Sequence, residues 1–200
     1  MSDSNDEHAK AMQQVQTEHR AKMATKTKAE RGLVLIHTGK GKGKSSSAFG
    51  VVARALGWDQ KVGVVQFIKG TWRTGEKQFF DRFPELDWHT MGDGFTWDTQ
   101  DREQDVQAAM AAFAQAAAMM TSDEYDLIVL DEINIALRYD YLDAQAVKEA
   151  LEARARKTSV ILTGRDAPQL LMDYADLVTE MTEVKHPFQA GIKAQRGVDY

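Results

Sequence analysis

The 200-residue chain contains no cysteine, only three prolines and no long apolar run. The lack of cysteine excludes a disulfide framework, a thiolate zinc site, an iron–sulfur cluster and a cysteine nucleophile. The nearest candidate for a membrane span, residues 108–120, is alanine-rich and interrupted by Gln115, and it is shorter than the roughly 20 apolar residues a span needs. The first residues are acidic where a signal peptide would be basic. We therefore expect a cytoplasmic protein without a membrane segment.

Charge is unevenly distributed along the chain, whose net charge is −5. Residues 37–80 contain eight Lys or Arg and two Asp or Glu, whereas residues 81–200 contain eleven Lys or Arg and twenty-three Asp or Glu. This pattern disfavours nucleic acid as a partner and favours a small anionic ligand in the basic region. Residues 1–31 carry few large apolar side chains, so we expect them to be mobile, or helical only when docked. Residues 32–200 are expected to form a single domain.

The rest of the sequence alternates between apolar strands and amphipathic helices. This alternation predicts an α/β fold in which a mostly parallel central sheet is covered by helices on both faces. Strands are expected over residues 33–36, 62–68, 86–91, 127–130, 160–162 and 177–181, and helices over 45–56, 101–120, 143–157 and 168–174.

A loop rich in glycine and lysine separates the first strand from the first helix. Glycines let backbone N–H groups turn inward around a phosphate, a lysine supplies a compact charge, and a serine hydroxyl can reach Mg²⁺. The loop departs from the usual P-loop pattern at its start, where threonine replaces the first glycine. Its candidate nucleotide-binding residues are Thr38, Gly39, Lys40, Gly41, Lys42, Gly43, Lys44, Ser45 and Ser46.

A second apolar strand ends in two carboxylates, Asp131 and Glu132. In P-loop proteins a carboxylate at this place holds the metal ion directly or through water. Adjacent strand residues point to opposite faces, so one acid is expected to be functional and the other structural, with the choice between them open. The guanine-reading Asn-Lys-x-Asp motif does not occur, which favours ATP over GTP.

Two glycine-containing loops also carry aromatic residues: residues 66–75 with Trp72, and residues 91–100 with Phe95 and Trp97. Such side chains either stack on a large flat ligand or fold back onto the core. The residues alone thus predict an ATP-using α/β protein with a second, planar substrate.

Taken together, these segments resemble the P-loop-type ATP:corrinoid adenosyltransferases of cobalamin synthesis and salvage, from about His19 to Tyr200. That family also lacks the first P-loop glycine. The chain departs from it in having Ser45 in place of the usual threonine and Arg73-Thr74 in place of Pro-Asn. The matching segments are T-G-K-G-K-G-K-S, V-V-Q-F-I-K-G-T-W, G-F-T-W-D-T-Q, V-L-D-E and V-K-H-P-F-Q-A-G-I-K-A-Q-R-G-V-D-Y.

The resemblance implies a RecA-like P-loop fold and transfer of the 5′-deoxyadenosyl group of ATP to the Co(I) of a corrinoid. The corrinoid would be cob(I)alamin or a precursor, and tripolyphosphate would leave intact. Lys44 would then stabilise a leaving group, and Arg54 could contact the nucleotide. Mg²⁺ would be held by Ser45 with Asp131 or Glu132.

Phe95 and Trp97 match the family's aromatic pair beneath the corrin ring. The resemblance implies that they displace the lower nitrogen ligand and leave cobalt four-coordinate, which makes Co(II) easier to reduce. It further implies a homodimer, an electron donor such as a reduced flavoprotein, and an N-terminal segment that folds over the active site.

Two other readings of the sequence lead to different chemistry. An ordinary ATPase or kinase would need only the phosphate loop and the two carboxylates, and it would release phosphate or ADP. A corrinoid carrier would use His89, which stands in a D-x-H-x-x-G sequence. The further elements of carrier domains do not occur in this chain, so we expect His89 to be a strand residue with no cobalt role.

Overall fold

The computed structural model describes residues 2–68, 74–90 and 101–199. The chain divides into two compact units, Met1–Glu30 and Arg31–Tyr200. The first unit contains one long helix, α1 (Ser2–Ala24), and all side chains described in this unit are exposed. The mobility expected for this segment stays a prediction. Among the described residues, no helix is both long and apolar enough to cross a membrane.

The second unit is built on a six-stranded parallel sheet in the order β3-β2-β4-β5-β1-β6. The predicted parallel α/β architecture is therefore confirmed. Parallel strands need long crossover connections, and helices supply them here. The strands are β1 (Val34–Thr38), β2 (Val62–Gln66), β3 (Leu86–Thr90), β4 (Leu127–Asp131), β5 (Ser159–Thr163) and β6 (Leu177–Glu180).

Helices cover both faces of the sheet, and alternate strand residues face the two layers. In β4, Ile128 and Leu130 belong to one buried cluster, whereas Leu127 and Val129 belong to the other. This period of two is what a strand buried on both faces requires. The helices are α2 (Lys44–Leu56), α3 (Gly75–Phe80), α4 (Arg102–Thr121), α5 (Ile133–Arg138), α6 (Ala144–Glu152) and α7 (Gln169–Tyr174), with a 3₁₀ turn at Pro187–Ala190.

Several predicted boundaries were wrong. The helix expected over residues 143–157 ends at Glu152, because the Arg154 guanidinium donates to the carbonyls of Leu151 and Thr158 and thereby closes a turn. The strand expected over residues 62–68 ends at Gln66. Helices α3 and α5 were not predicted.

At the amino end of the sheet, Asp176 joins the start of β1 to the start of β6. Its carboxylate accepts from Arg31 Nη2 at 2.5 Å, from Arg31 Nη1 at 2.8 Å and from the Val34 N–H at 2.9 Å. These hydrogen bonds lower the pKa of Asp176 to about 2, and the bond from the Arg31 guanidinium contributes most. The carboxylate therefore stabilises the fold only in its ionised form.

Asp176→Asn tests this anchor through its pH dependence. Because the folded pKa lies below the unfolded value, the stabilisation is present above pH 4 and lost as the pH falls toward 2. The variant should be less stable at pH 7 by about 1 kcal/mol, a value reduced by solvent screening, and the difference should shrink below pH 4. Urea unfolding at several pH values measures this. The exposed control Glu85→Gln should show little change, and a pH-independent loss in Asp176→Asn would contradict the assignment.

Candidate functional site

The glycine-rich loop lies at the carboxyl end of β1, where it turns into α2. Gly39 and Gly43 have φ angles of 94° and 109°, a region that side chains with a Cβ rarely adopt. Gly43 immediately precedes Lys44, the first residue of α2. The loop therefore leads directly into a helix N-terminus, which attracts anions through its free N–H groups.

The segment that follows β6 braces this loop. The Gly41 N–H donates to the Met181 carbonyl at 2.7 Å, and the Met181 N–H donates to the Thr38 carbonyl at 2.9 Å. A Cβ on Gly39 would lie 2.5 Å from the Met181 carbonyl oxygen, and one on Gly41 would lie 2.8 Å from that of Thr182. The glycines are therefore required for close backbone packing as well as for the loop's turn.

Lys44 is almost fully buried, at 7% exposed. Its Nζ donates to the Gly41 carbonyl at 2.6 Å, so the side chain folds back over the loop. Burial lowers the pKa of Lys44, and the nearby Glu132 carboxylate opposes that effect. The loop thus holds one desolvated ammonium group at its centre.

Glu132 follows the last residue of β4 and adopts a left-handed φ of 61°. Its carboxylate accepts no hydrogen bond within the described part of the chain. Burial raises the pKa of Glu132 to about 7, the charge of Asp131 adds to the rise, and Lys44 and Arg165 oppose it. A carboxylate in this state has oxygens available for a cation placed beside the loop.

The environment of Asp131 differs from that of Glu132, because each of its carboxylate oxygens accepts a hydrogen bond. Oδ1 accepts from the Thr163 hydroxyl at 2.8 Å, and Oδ2 accepts from Gln66 Nε2 at 3.1 Å. The Thr163 oxygen in turn accepts from the Glu132 N–H at 2.9 Å. Asp131 therefore joins the ends of β2, β4 and β5 and fixes the backbone of Glu132.

A third loop at this edge, residues 164–167, follows β5. The Gly164 N–H donates to the His37 carbonyl at 3.2 Å, and its own carbonyl accepts from Asn134 Nδ2 at 3.1 Å. A Cβ on Gly164 would lie 3.2 Å from Glu132 Oε2. The Ala167 N–H donates to the Thr38 hydroxyl at 3.1 Å. Phosphate loop, carboxylate strand and this third loop thus form one connected edge.

His37, the residue before Thr38, is buried beneath this edge. Its Nδ1 lies 2.8 Å from the Ser47 hydroxyl and 3.3 Å from the Lys44 carbonyl. Burial lowers the pKa of His37, which favours the neutral ring. These contacts hold the first turn of α2 against β1.

The other predicted loop residues differ in exposure. Lys40 and Ser46 are exposed, whereas Ser45 is half-buried at the start of α2. Lys42 forms an ion pair with Asp199 of the carboxyl-terminal segment. Arg54 is exposed in the last turn of α2, about 15 Å along the helix from Lys44, so the helix does not bring it to the loop.

Phe95 and Trp97 lie outside the described residues, as does Trp72. His89 is the fourth residue of β3, opposite Val65 of β2, so it is a strand residue as expected. The absence of a cobalt role for His89 stays a prediction.

Sequence reasoning missed four residues at this edge: Gln66, Asn134, Thr163 and Arg165. Thr163 and Arg165 flank the glycine that directly follows β5. Because the carboxyl ends of parallel strands meet at one edge, the segment Thr-Gly-Arg after a buried strand was a usable signal. Gln66 and Asn134 had no comparable signal, since their roles depend on strand order and on side-chain packing.

Comparisons with known proteins give a consistent result. The family model "ATP:corrinoid adenosyltransferase BtuR/CobO/CobP" matches residues 30–200. A corrinoid adenosyltransferase of Pseudomonas aeruginosa is 55% identical over 86% of this chain and 85% of its own length. One from Sinorhizobium is 46% identical over 96% of this chain and 91% of its own. Corrinoid adenosyltransferase CobA of Salmonella typhimurium is 43% identical over 98% of this chain and all of its own.

Thr163→Val tests the network beneath the carboxylates. The substitution preserves shape but leaves Asp131 Oδ1 without its donor and the Glu132 N–H without its acceptor. Because buried polar groups left unpaired are costly, we expect a loss of roughly 2–3 kcal/mol in unfolding free energy. Thr163→Ser keeps the hydroxyl and should lose less than about 1 kcal/mol. Urea denaturation measures both, and equal losses would show that the missing hydrogen bonds are not the cause.

Proposed function

Because this chain belongs to the ATP:corrinoid adenosyltransferase family, and is thus an ATP-using alkyl transferase, we propose that it attaches the 5′-deoxyadenosyl group of ATP to cobalt. The acceptor is the Co(I) of cob(I)alamin or a precursor, and the product serves adenosylcobalamin synthesis or salvage. The triphosphate chain leaves as tripolyphosphate.

One observation carries the proposal: the buried Lys44 ammonium lies at the centre of a glycine loop, with Glu132 beside it. This arrangement suits a polyphosphate, because the lysine and the helix N-terminus supply positive charge where water is largely excluded. Family membership supports the view that these groups stabilise the triphosphate as a leaving group.

The reaction balances as a nucleophilic displacement. An electron pair on Co(I) forms the bond to the 5′-carbon, and the bond from that carbon to the phosphate oxygen breaks. The oxygen keeps the bonding electrons, so negative charge grows on the triphosphate as it leaves. Lys44 and the loop N–H groups stabilise that growing charge, which lowers the barrier only to the extent that they bind it better than the ground state.

Mg²⁺ fits the oxygen donors at this edge, which are the Ser45 hydroxyl and the Glu132 carboxylate. The ion prefers oxygen ligands and usually combines one or two protein groups with phosphate oxygens and water. When bound, it would supply further positive charge to the leaving group. We assign Asp131 a positioning role, because its carboxylate oxygens bond to β5 and β2 while those of Glu132 accept no hydrogen bond from the described residues.

On the corrinoid side, we assign Phe95 and Trp97 to the apolar surface that excludes the lower cobalt ligand. The proposal also includes a homodimer and an electron donor such as a reduced flavoprotein. Arg54, which lies away from the phosphate loop, remains a proposed contact with another part of the nucleotide.

An anaerobic assay with Mg·ATP and chemically reduced cob(I)alamin tests the reaction. The proposal expects a light-sensitive alkylcobalamin in the corrinoid spectrum and tripolyphosphate among the released phosphates. Conversion of ATP to ADP with an unchanged corrinoid spectrum would contradict it and support an ordinary ATPase.

Lys44→Ala should lower kcat/KM for ATP by about 100-fold or more, as expected when a buried charge that stabilises the transition state is removed. Lys148→Ala removes an equal charge on α6, where the lysine pairs with Glu152, and should retain activity. Near-normal turnover in Lys44→Ala would refute the leaving-group role.

Trp97→Ala separates cobalt reduction from alkyl transfer. If the aromatic side chain excludes the lower ligand, the variant should lose far more activity in assays begun from Co(II) than in assays supplied with Co(I). We expect a difference of at least about tenfold between the two losses, or roughly 1.4 kcal/mol. Equal losses in both assays would argue against ligand exclusion.

A further inference from the structure

The loop that follows β5 is fixed at both of its ends to the phosphate loop and its strand. Its first residue, Gly164, donates from N–H to the His37 carbonyl at 3.2 Å, and its last, Ala167, donates to the Thr38 hydroxyl at 3.1 Å. Gly164 also packs against Glu132, since a Cβ there would lie 3.2 Å from Oε2. The two residues between these anchors are therefore held beside the nucleotide site.

These two residues, Arg165 and Asp166, carry opposite charges, and of the two only Asp166 forms an ion pair with a described residue. Asp166 accepts from Arg138 Nη1 at 2.9 Å. Arg165 is exposed, and its guanidinium forms no hydrogen bond or ion pair with any of the described residues. The loop therefore presents an arginine whose five donors are available to a ligand.

Arg165 adds a second positive charge to the region of Lys44. Glu132 lies beside both cations and accepts no hydrogen bond from the described residues, whereas Asp166 is paired with Arg138. Consistent with this placement, Arg165 lowers the pKa of both Lys44 and Glu132. The positive charges of Lys44 and Arg165 repel each other, and an anion with several negative charges relieves that repulsion.

We propose that Arg165 binds the triphosphate chain of the nucleotide and, after transfer, the tripolyphosphate leaving group. A guanidinium is suited to this task, because its planar fork pairs with two phosphate oxygens at once. Arg165 approaches the site from the loop after β5, so the polyphosphate is held between that loop and Lys44 of the phosphate loop. This inference rests on the proposed function only in naming tripolyphosphate as product.

The test compares Arg165→Ala, Arg165→Lys and the control Lys157→Ala, an exposed cation that contacts Asp126 at the opposite end of the sheet. The probes are inorganic tripolyphosphate and adenosine, each titrated calorimetrically with Mg²⁺ present. We expect Arg165→Ala to bind tripolyphosphate roughly tenfold or more weakly, with Arg165→Lys intermediate, because a lysine keeps the charge but not the fork. Adenosine binding and the thermal midpoint should not change.

Catalysis supplies the second readout. Arg165→Ala should lower kcat/KM for ATP by about 10- to 100-fold at saturating cob(I)alamin, as removal of a leaving-group contact requires. Lys157→Ala should resemble the wild type in both assays.

The possible results separate this inference from the proposed function. Wild-type affinity for tripolyphosphate in Arg165→Ala would overturn the inference, and so would equal weakening of adenosine and tripolyphosphate. A wild-type protein that forms no alkylcobalamin, but binds tripolyphosphate through Arg165, would overturn the proposed reaction and leave the anion site standing.

Discussion

The site depends on keeping the Lys44 ammonium charged while it is almost wholly removed from water. Burial of an ammonium group is unfavourable unless a nearby acceptor and an opposite charge compensate for the lost hydration. The Gly41 carbonyl supplies the acceptor and Glu132 supplies the opposite charge. Each of these partners is itself fixed, the first by its contact with the Met181–Thr182 backbone and the second by the Thr163 hydroxyl. The lysine therefore requires cooperation among β1, β4, β5 and the segment after β6.

The two adjacent carboxylates at the end of β4, Asp131 and Glu132, have different roles. Asp131 is the last strand residue and bonds sideways to β2 and β5, so it holds the sheet edge together. Glu132 departs from strand geometry through its positive φ, and its oxygens stay available. The positive φ at Glu132 and the hydrogen bonds from Gln66 and Thr163 to Asp131 therefore place two carboxylates in different environments.

Much of the fold could be predicted from the sequence, because buried parallel strands are continuous apolar runs and the phosphate loop has a distinctive composition. The division between Asp131 and Glu132 could not, since it depends on Gln66 and Thr163, which reach Asp131 only through the order of strands in the sheet. Arg165 was missed although its segment, Thr-Gly-Arg directly after a buried strand, was a usable signal; its position beside the phosphate loop depends on β5 lying next to β1. Phe95 and Trp97 were singled out as aromatic residues in a glycine-containing loop and assigned to the corrin by family resemblance; both lie outside the described residues, so their role stays a prediction.

The hydrogen bond from Gly41 to Met181 also sets how an anion is recognised here. The Gly41 N–H group already donates to a carbonyl, so the loop has one fewer free backbone N–H group for an anion than its glycine content suggests. Under the proposals above, an anion at this loop would then rely more on the Lys44 ammonium and the Arg165 guanidinium, whose attraction weakens as the salt concentration rises. Nucleotide affinity in this protein should consequently respond to ionic strength more strongly than in a loop whose amides all face the phosphates.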